Sequence, residues 1–433
     1  MKYSILLAIA SILMLLSCIK PEKAFDGKSI GGTVPQEKRL TGISEGVYYN
    51  KVLGLLIGSA IGDAMGAPTE MWSRKDIRTT YGFVNDLDSM VRFPSAEGTW
   101  VNNLPAGGTT DDTRWKKLFT EYAIAEPWPR LKASNLAKHI IKKYKSSITA
   151  LKSTEGLNPH PYEDNLMKMA WLQEWALVAD AYARNDMVAY SNAVSKFYGG
   201  EMTCAGMLYS PLIGACLPAD PAAAYAAAYD LSIFDIGYAR DITALVAGMV
   251  SQAFDTTAYK TSVPNIILTV DPQNYFRSRL VGRAAYRYYQ AATAIVSASK
   301  DLTRKDIPKD FKIPGAWQPM DSLYYLQLSH AYSMLDTFNE DMPFHAAEIY
   351  LITITSMMYC DYDFERTMEF IVNYGRDNDT VAAVAGSILG AFLGADQLPE
   401  KKVRQILQVN KELLGTDLEE MARTMTAKYL KQR

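Results

Sequence analysis

Two stretches of the chain place a glycine at every fourth residue. In GLLIGSAIGDAMG the glycines stand at 54, 58, 62 and 66, and in GSILGAFLG they stand at 386, 390 and 394. A spacing of four puts each row on one smooth face of a helix. Because glycine costs about 1 kcal/mol in a helix relative to alanine, each row needs a compensating gain, usually the close approach of another backbone. The rows therefore predict two tightly packed core helices.

The same glycine spacing also occurs in helices that associate within membranes. A membrane span needs about 20 consecutive apolar residues, and Asp63 and Glu70 interrupt any span of that length around the first glycine row. We therefore assign both helices to the core of a globular domain. An apolar fraction of 48% in 433 residues is sufficient to fill such a core.

The rest of the chain is typical of an all-α protein, since apolar residues recur at intervals of three and four and hardly ever alternate. One segment, 300–320, is rich in Lys, Asp and Pro and is predicted to be a charged surface loop. We find no repeat of constant length and expect a single helical domain over 46–433. The predicted helices include 166–182, 222–230, 239–254, 280–299, 346–359 and 381–393, followed by one amphipathic tail helix over 398–433.

The first twenty residues have the pattern of a bacterial lipoprotein signal peptide. Lys2 precedes an apolar stretch over 5–16, which is too short to span a bilayer comfortably. Ser17 before Cys18 resembles the lipobox, in which the cysteine is lipidated after cleavage. We expect a signal peptide over 1–18, a lipid on Cys18, a flexible tether over 19–45, and a location in the cell envelope, in the periplasm or on the outer membrane. A retained anchor and plain secretion are the alternatives.

The overall composition argues against two classes of function. With 45 basic and 47 acidic residues, the chain has no field of one sign that would recruit nucleic acid. The four histidines lack the spacing of a zinc site. Cys204, Cys216 and Cys360 also lack metal-binding spacing, so we expect three buried thiols, with a Cys204–Cys216 bridge as the less favoured alternative.

The segment TTDDT, residues 109–113, is the first that can carry chemistry. It precedes an amphipathic pattern of apolar residues, so Asp111 and Asp112 stand at a helix N-terminus. Helix capping is the simplest explanation and contributes about 1 kcal/mol. One carboxylate would suffice for a cap, whereas two adjacent carboxylates between Thr110 and Thr113 also suit a metal ion. The segment alone leaves both explanations open.

A second acidic segment, DNDT at 377–380, repeats this arrangement before a helix of small apolar residues. Its carboxylates are expected to point into the protein or a cleft, where an unpaired charge is costly. The basic residues next to the two segments are Arg114 and Arg376. A hard divalent ion with carboxylate and hydroxyl ligands would satisfy both segments together. Spacing alone does not show that the segments meet.

In this order, GLLIGSAIGDAMGAPTE (54–70), TDDT (110–113) and GRDNDTVAAVAGSILGAFLG (375–394) resemble the ADP-ribosylglycohydrolase family, which includes the enzymes that remove ADP-ribose from dinitrogenase reductase. The middle stretch CAGMLYSPLIGACLPADPAAAY (204–225) is similar to the central segment of that family. The resemblance covers about 47–394. It implies an all-α orthogonal multi-helix bundle whose cleft holds two magnesium ions, with manganese as an alternative.

The resemblance also implies roles for individual residues. Glu70 matches a conserved glutamate on a loop beside the metals, and we expect it to act in catalysis as an acid, base or gate, together with Asp111 and Asp112. Asp63 is expected to be structural. The matching metal ligands are Thr110, Asp111, Asp112, Asp377, Asp379 and Thr380.

The implied reaction is the hydrolysis of an N- or O-glycosidic bond at the anomeric carbon of an ADP-ribosyl group or a related riboside or furanoside. Its transition state resembles an oxocarbenium ion. Magnesium would orient the sugar and position a water molecule, and carboxylates would act as base. We expect a small-molecule or glycoside substrate and a monomer. The alternative is a catalytically silent binding or structural protein on the same scaffold.

Three departures from the family concern the substrate. Arg376 stands where relatives commonly have a second glycine, and we expect it either to contact the substrate or to pair with an acid. Met207-Leu208 replaces a common Met-Arg, and the frequent histidine is not found over 233–237. Together with the export signal, these departures favour a substrate met outside the cytoplasm over ADP-ribosylated protein.

The lipoprotein interpretation predicts a single labelled position. Cys18→Ala should abolish incorporation of a radioactive lipid precursor because it removes the only thiol in the lipobox. Cys204→Ala is the matched control and should keep the label. Unchanged labelling of Cys18→Ala would contradict a lipid anchor at this residue.

Overall fold

The computed structural model describes residues 42–91, 103–152, 172–270 and 282–432. The predicted signal peptide, Cys18 and nearly all of the predicted tether therefore lie outside the described residues. The described part is an all-α fold of sixteen α-helices, so the predicted fold class is confirmed. Its only strands, β1 (Met90–Val91) and β2 (Asn103–Leu104), form a short antiparallel ribbon.

The helices that carry the acidic segments belong to the first and last thirds of the described chain. In the first half the helices are α1 Glu45–Gly66, α2 Arg74–Thr80, α3 Asp111–Ala125, α4 Ala133–Lys152, α5 Gln173–Ala183, α6 Met187–Val194, α7 Ser210–Cys216 and α8 Pro221–Leu231. In the second half they are α9 Ala239–Phe254, α10 Ala284–Lys300, α11 Ser322–Leu335, α12 Ala346–Tyr359, α13 Phe364–Tyr374, α14 Asn378–Leu393, α15 Glu400–Glu412 and α16 Leu418–Leu430.

The two glycine rows pack directly against each other, on α1 and α14. Gly54 lies against Gly390, Gly58 against Gly386, and Gly62 against Ala382, which makes the two helices antiparallel. A Cβ atom added to any of the three α1 glycines would lie closer than 3.0 Å to a backbone oxygen of α14. The predicted close approach is therefore present, and each row supplies the partner backbone that the other requires.

Helix α1 is a core helix. Among the described residues, only the segment Glu45–Thr69 is long and apolar enough to cross a membrane, and 94% of its most apolar stretch is buried inside the protein. Lys51 fixes the position of α1, because its buried ammonium donates hydrogen bonds to backbone carbonyls at the C-terminal ends of α9 and α14. The distances are 2.8 Å to Ala253 O, 3.1 Å to Ala391 O and 3.0 Å to Phe392 O. A cation at these helix C-termini also complements their dipoles.

The structure shows that the predicted single tail helix was wrong and confirms the prediction of buried thiols. The tail is two helices, α15 and α16, because the chain turns at Gly415, whose φ of +61° is unfavourable for other residues, and Thr416 N donates to Asn410 O. Cys204, Cys216 and Cys360 are buried free thiols, as expected. Between α10 and α11, the segment predicted as a charged loop contains only short 3₁₀ turns.

The helix contact predicts opposite effects for two glycines of α1. Gly62→Ala should lower the free energy of unfolding by about 2–3 kcal/mol, because its methyl group would force α1 away from the Ala382 carbonyl. Gly46→Ala, on the same helix with open space around it, should leave stability unchanged or raise it by up to about 1 kcal/mol. Urea denaturation of the purified protein measures both. Equal effects for the two variants would contradict the account.

Candidate active site

The end of the glycine row lies against the second acidic segment. A Cβ atom at Gly66, the last residue of α1, would lie closer than 3.0 Å to the Cα atom of Asp379 in the first turn of α14. The chain then makes one 3₁₀ turn, Ala67–Thr69, and reaches Glu70. The antiparallel packing and this turn therefore bring Glu70 to the N-terminus of α14.

Three carboxylates meet at this point. Glu70, Asp377 and Asp379 are buried, and each offers an oxygen that lies within 4.8 Å of the other two. Within the described residues, Oδ1 of Asp379 has no hydrogen-bond partner. Burial raises the pKa values of Asp377 and Asp379 well above the usual range, and the charge of Glu70 raises them further. A cation at this place would relieve both effects.

Capping does not explain Asp377. It occupies the N-cap position of α14, yet its side chain makes no capping hydrogen bond. At α3 the N-cap is Thr110, whose hydroxyl accepts a long hydrogen bond of 3.4 Å from Asp112 N. The simplest explanation of the acidic pairs from sequence therefore fails at α14, and at α3 a threonine serves as the cap.

Asp63 organises the start of α3 from the neighbouring helix α1. Its Oδ1 accepts hydrogen bonds from Thr110 N and Thr110 Oγ1, both at 2.9 Å. Its Oδ2 accepts from Thr113 N at 3.1 Å and from Thr113 Oγ1 at 2.6 Å. Four donors hold this carboxylate, which supports the structural role expected for it. Burial, followed by the charge of Asp112, raises the pKa of Asp63 to about 7.

The two acidic segments, which are far apart in sequence, are in direct contact. Thr380 Oγ1 donates to Asp112 Oδ2 at 3.0 Å, and Thr110 Oγ1 lies 3.5 Å from Asp379 Oδ2. Each threonine hydroxyl donates its hydrogen to a carboxylate, so at least one lone pair of each hydroxyl oxygen remains able to bind a cation. These contacts join the two predicted segments, and the tight group of three carboxylates consists of Glu70, Asp377 and Asp379 and includes neither acid of α3.

Asp111 differs from the other carboxylates of the site in being only half-buried. Burial raises its pKa to about 6, and the charge of Asp112 contributes. A carboxylate with a pKa near neutrality, at the more accessible side of the site, is suited to proton transfer.

Sequence reasoning missed Asn378, which holds the turn before Glu70. Its side-chain amide donates to Thr69 Oγ1 at 2.8 Å and to Val372 O at 3.1 Å. On the other side of Glu70, Met71 N donates to Arg376 O at 2.7 Å. Glu70 is thus held from both sides by the segment that carries Asp377 and Asp379. In the sequence, the position of Asn378 between Asp377 and Asp379 was the signal that could have identified it.

Arg376 pairs with an acid, one of the two roles expected for it. Its Nε lies 2.7 Å from Oε1 of Glu348 and its Nη2 lies 2.9 Å from Oε2, while Glu348 is 2% exposed. This two-point pair joins the start of α14 to α12. Removing either partner would leave a costly unpaired charge.

Lys116 is a second residue that the sequence reasoning missed. Its ammonium lies 3.3 Å from Asp112 Oδ1, and the two side chains are 1% and 2% exposed. The two residues are four apart on α3, and that spacing places them on the same helix face. In the sequence, this spacing of an acid and a base was the signal that could have identified Lys116.

The central segment borders the site. Burial raises the pKa of the Cys204 thiol, and the charge of Asp377 is the next cause. Gly206 N donates to Asp235 Oδ1 at 2.9 Å, and burial raises the pKa of Asp235 to about 6. Asp235 lies in the stretch 233–237, where the frequent histidine of the family is missing. His345, at the start of α12, contacts the ring of Tyr238 at the edge of this stretch.

The chain was compared with known families and proteins. The family model described as ADP-ribosylglycohydrolase matches residues 44–433. No curated protein matches the chain. A solved structure described as "ADP-ribosylglycohydrolase-related protein complex" is similar with a TM-score of 0.52 and 16% identity, over 90% of this chain and 100% of that chain. At this identity, the likeness to the solved structure concerns the fold alone.

Proposed function

Because the chain belongs to the ADP-ribosylglycohydrolase family, we propose that it is a magnesium-dependent glycohydrolase. Its substrate would be an ADP-ribosyl group or a related riboside or furanoside, cleaved at the anomeric carbon through its N- or O-glycosidic bond. The observation that carries this proposal is the group of three buried carboxylates, Glu70, Asp377 and Asp379, with oxygens within 4.8 Å of one another.

The residues present suit a magnesium-type ion. All three grouped ligands are carboxylates, and hard oxygen ligands favour magnesium or manganese over zinc. Among the described residues, the buried Oδ1 of Asp379 has no hydrogen-bond partner, and a cation would be a natural partner for it. Thr110 and Thr380 would add hydroxyl oxygens. When bound, the ion would orient the vicinal hydroxyls of a ribose and position a water molecule.

Proton transfer and charge stabilisation would be carried out by different carboxylates of the site. Asp111, half-buried and with a pKa near 6, is suited to accept a proton from the attacking water near neutral pH. Asp112 has hydrogen-bonded partners on both oxygens, so it holds α3 and α14 together and contributes negative charge. That charge would stabilise the positive charge that develops at the anomeric carbon. Glu70 is the further candidate acid or base.

The proposed location follows from the sequence. The lipobox at Cys18 would anchor the enzyme in the cell envelope, where it would meet a riboside or furanoside outside the cytoplasm. The commitment of Arg376 to Glu348 removes one guanidinium from the set that could bind a phosphate. This observation favours a substrate with a smaller anionic part over a full ADP-ribosyl group.

A substrate panel tests the proposal. The panel contains ADP-ribosyl-arginine, ADP-ribosyl-serine, O-acetyl-ADP-ribose and nitrophenyl pentosides, each with magnesium and with chelator. Asp379→Asn should lower turnover by at least about 100-fold, because it removes a ligand charge at nearly constant shape. It should also abolish the rise in melting temperature that magnesium produces.

Glu412→Gln is the control for the loss of one carboxylate, since Glu412 is exposed on α15. It should retain turnover and the magnesium effect. Magnesium binding without turnover of any substrate would favour the silent binding protein on the same scaffold. Unchanged turnover and metal binding in Asp379→Asn would contradict the metal centre.

A further inference from the structure

We propose that Lys116 is a built-in cation that takes the place of a second divalent ion at Asp112. The protein would then hold one divalent ion, at Glu70, Asp377 and Asp379, where the family resemblance led us to expect two. This inference rests on the proposed metal centre and concerns how many ions that centre binds.

The Lys116 ammonium is fixed at the α3 side of the site. Its Nζ lies 3.3 Å from Asp112 Oδ1, and both side chains are almost completely buried. Burying an ammonium is costly unless it is paired, so the position of this lysine depends on the carboxylate. The same charge also acts on Asp111, the first residue of α3, and on Asp63, which accepts hydrogen bonds from the start of α3.

The second oxygen of Asp112 is occupied as well. Oδ2 accepts the hydroxyl hydrogen of Thr380 at 3.0 Å. A divalent ion bound through Oδ1 would therefore have to displace the Lys116 ammonium or lie next to it, within a few ångströms of a like charge in a buried place. Like charges repel strongly at such a separation, because water does not screen them in a buried place.

The α14 side of the site is different. Within the described parts of the chain, neither Asp377 nor Asp379 forms an ion pair with a lysine or arginine. Oδ1 of Asp379 is buried and has no hydrogen-bond partner there. A protein cation therefore stands beside Asp112, while the described residues provide none that pairs with Asp377 or Asp379. This asymmetry favours a single ion, bound on the α14 side.

The charge of the whole site agrees with this assignment. The carboxylates are those of Asp63, Glu70, Asp111, Asp112, Asp377 and Asp379. One divalent ion, Lys116 and the nearby Arg114 would leave them a small excess of negative charge. A second divalent ion would cancel this excess, and the site would lose the negative charge that stabilises positive charge on the sugar in the transition state.

Manganese titration of the purified full-length protein tests the inference, with the bound ion measured by calorimetry and by metal analysis after gel filtration. The wild type should bind about one ion per chain, and Lys116→Met should bind about two, because Asp112 loses its ammonium and becomes a ligand. Lys116→Arg keeps the charge and should bind about one.

Lys117→Met is the matched control. It lies on the same helix, and its ammonium donates instead to Gly415 O at 2.6 Å, so binding should stay at about one ion. If Lys116→Met does not fold, the number of ions bound by Lys116→Gln and by the wild type still tests the inference. Two ions in the wild type, or one in a folded Lys116→Met, would overturn the inference. Absence of binding in every variant would instead contradict the proposed metal centre.

Discussion

The antiparallel contact between α1 and α14 is the constraint on which the site depends. Glycines on both helices let the backbones approach to a distance that no side chain would permit. Because the helices run in opposite directions, Glu70, which follows α1 after one 3₁₀ turn, comes close to Asp377 and Asp379 at the start of α14. A slip of one helical turn would move the segments by about 5.4 Å, more than the 4.8 Å within which the three carboxylate oxygens lie.

Carboxylates of one chemical type have different tasks in this site because their partners differ. Asp63 is satisfied by four donors from the start of α3, so it sets the position of that helix. Asp112 is held by an ammonium and a hydroxyl. Asp379 is buried with one oxygen unpartnered among the described residues. Only the last of these environments calls for an external cation.

Much of the arrangement could be predicted from sequence because its signals are local. The glycine spacing predicted the two closely packed helices, and acidic residues before apolar helices predicted the two segments that carry the site. The meeting of those segments depends on tertiary packing, which spacing does not encode. The pairing of Arg376 with Glu348 also joins distant parts of the chain. The pairing of Lys116 with Asp112 could be predicted, because the two residues are one helical turn apart. The burial of Lys116 could not be predicted from its local sequence. The break at Gly415 was hidden by an amphipathic pattern that continues on both sides of it.

The most direct test of the account is anomalous diffraction from crystals of the protein soaked in manganese. The account predicts an anomalous peak about 2.0–2.3 Å from carboxylate oxygens of Glu70, Asp377 and Asp379. The end of the packed glycine rows, at Gly66, should lie next to this peak. A peak bound elsewhere, or no peak at these three carboxylates at saturating manganese, would contradict the claim that the helix contact builds a metal centre.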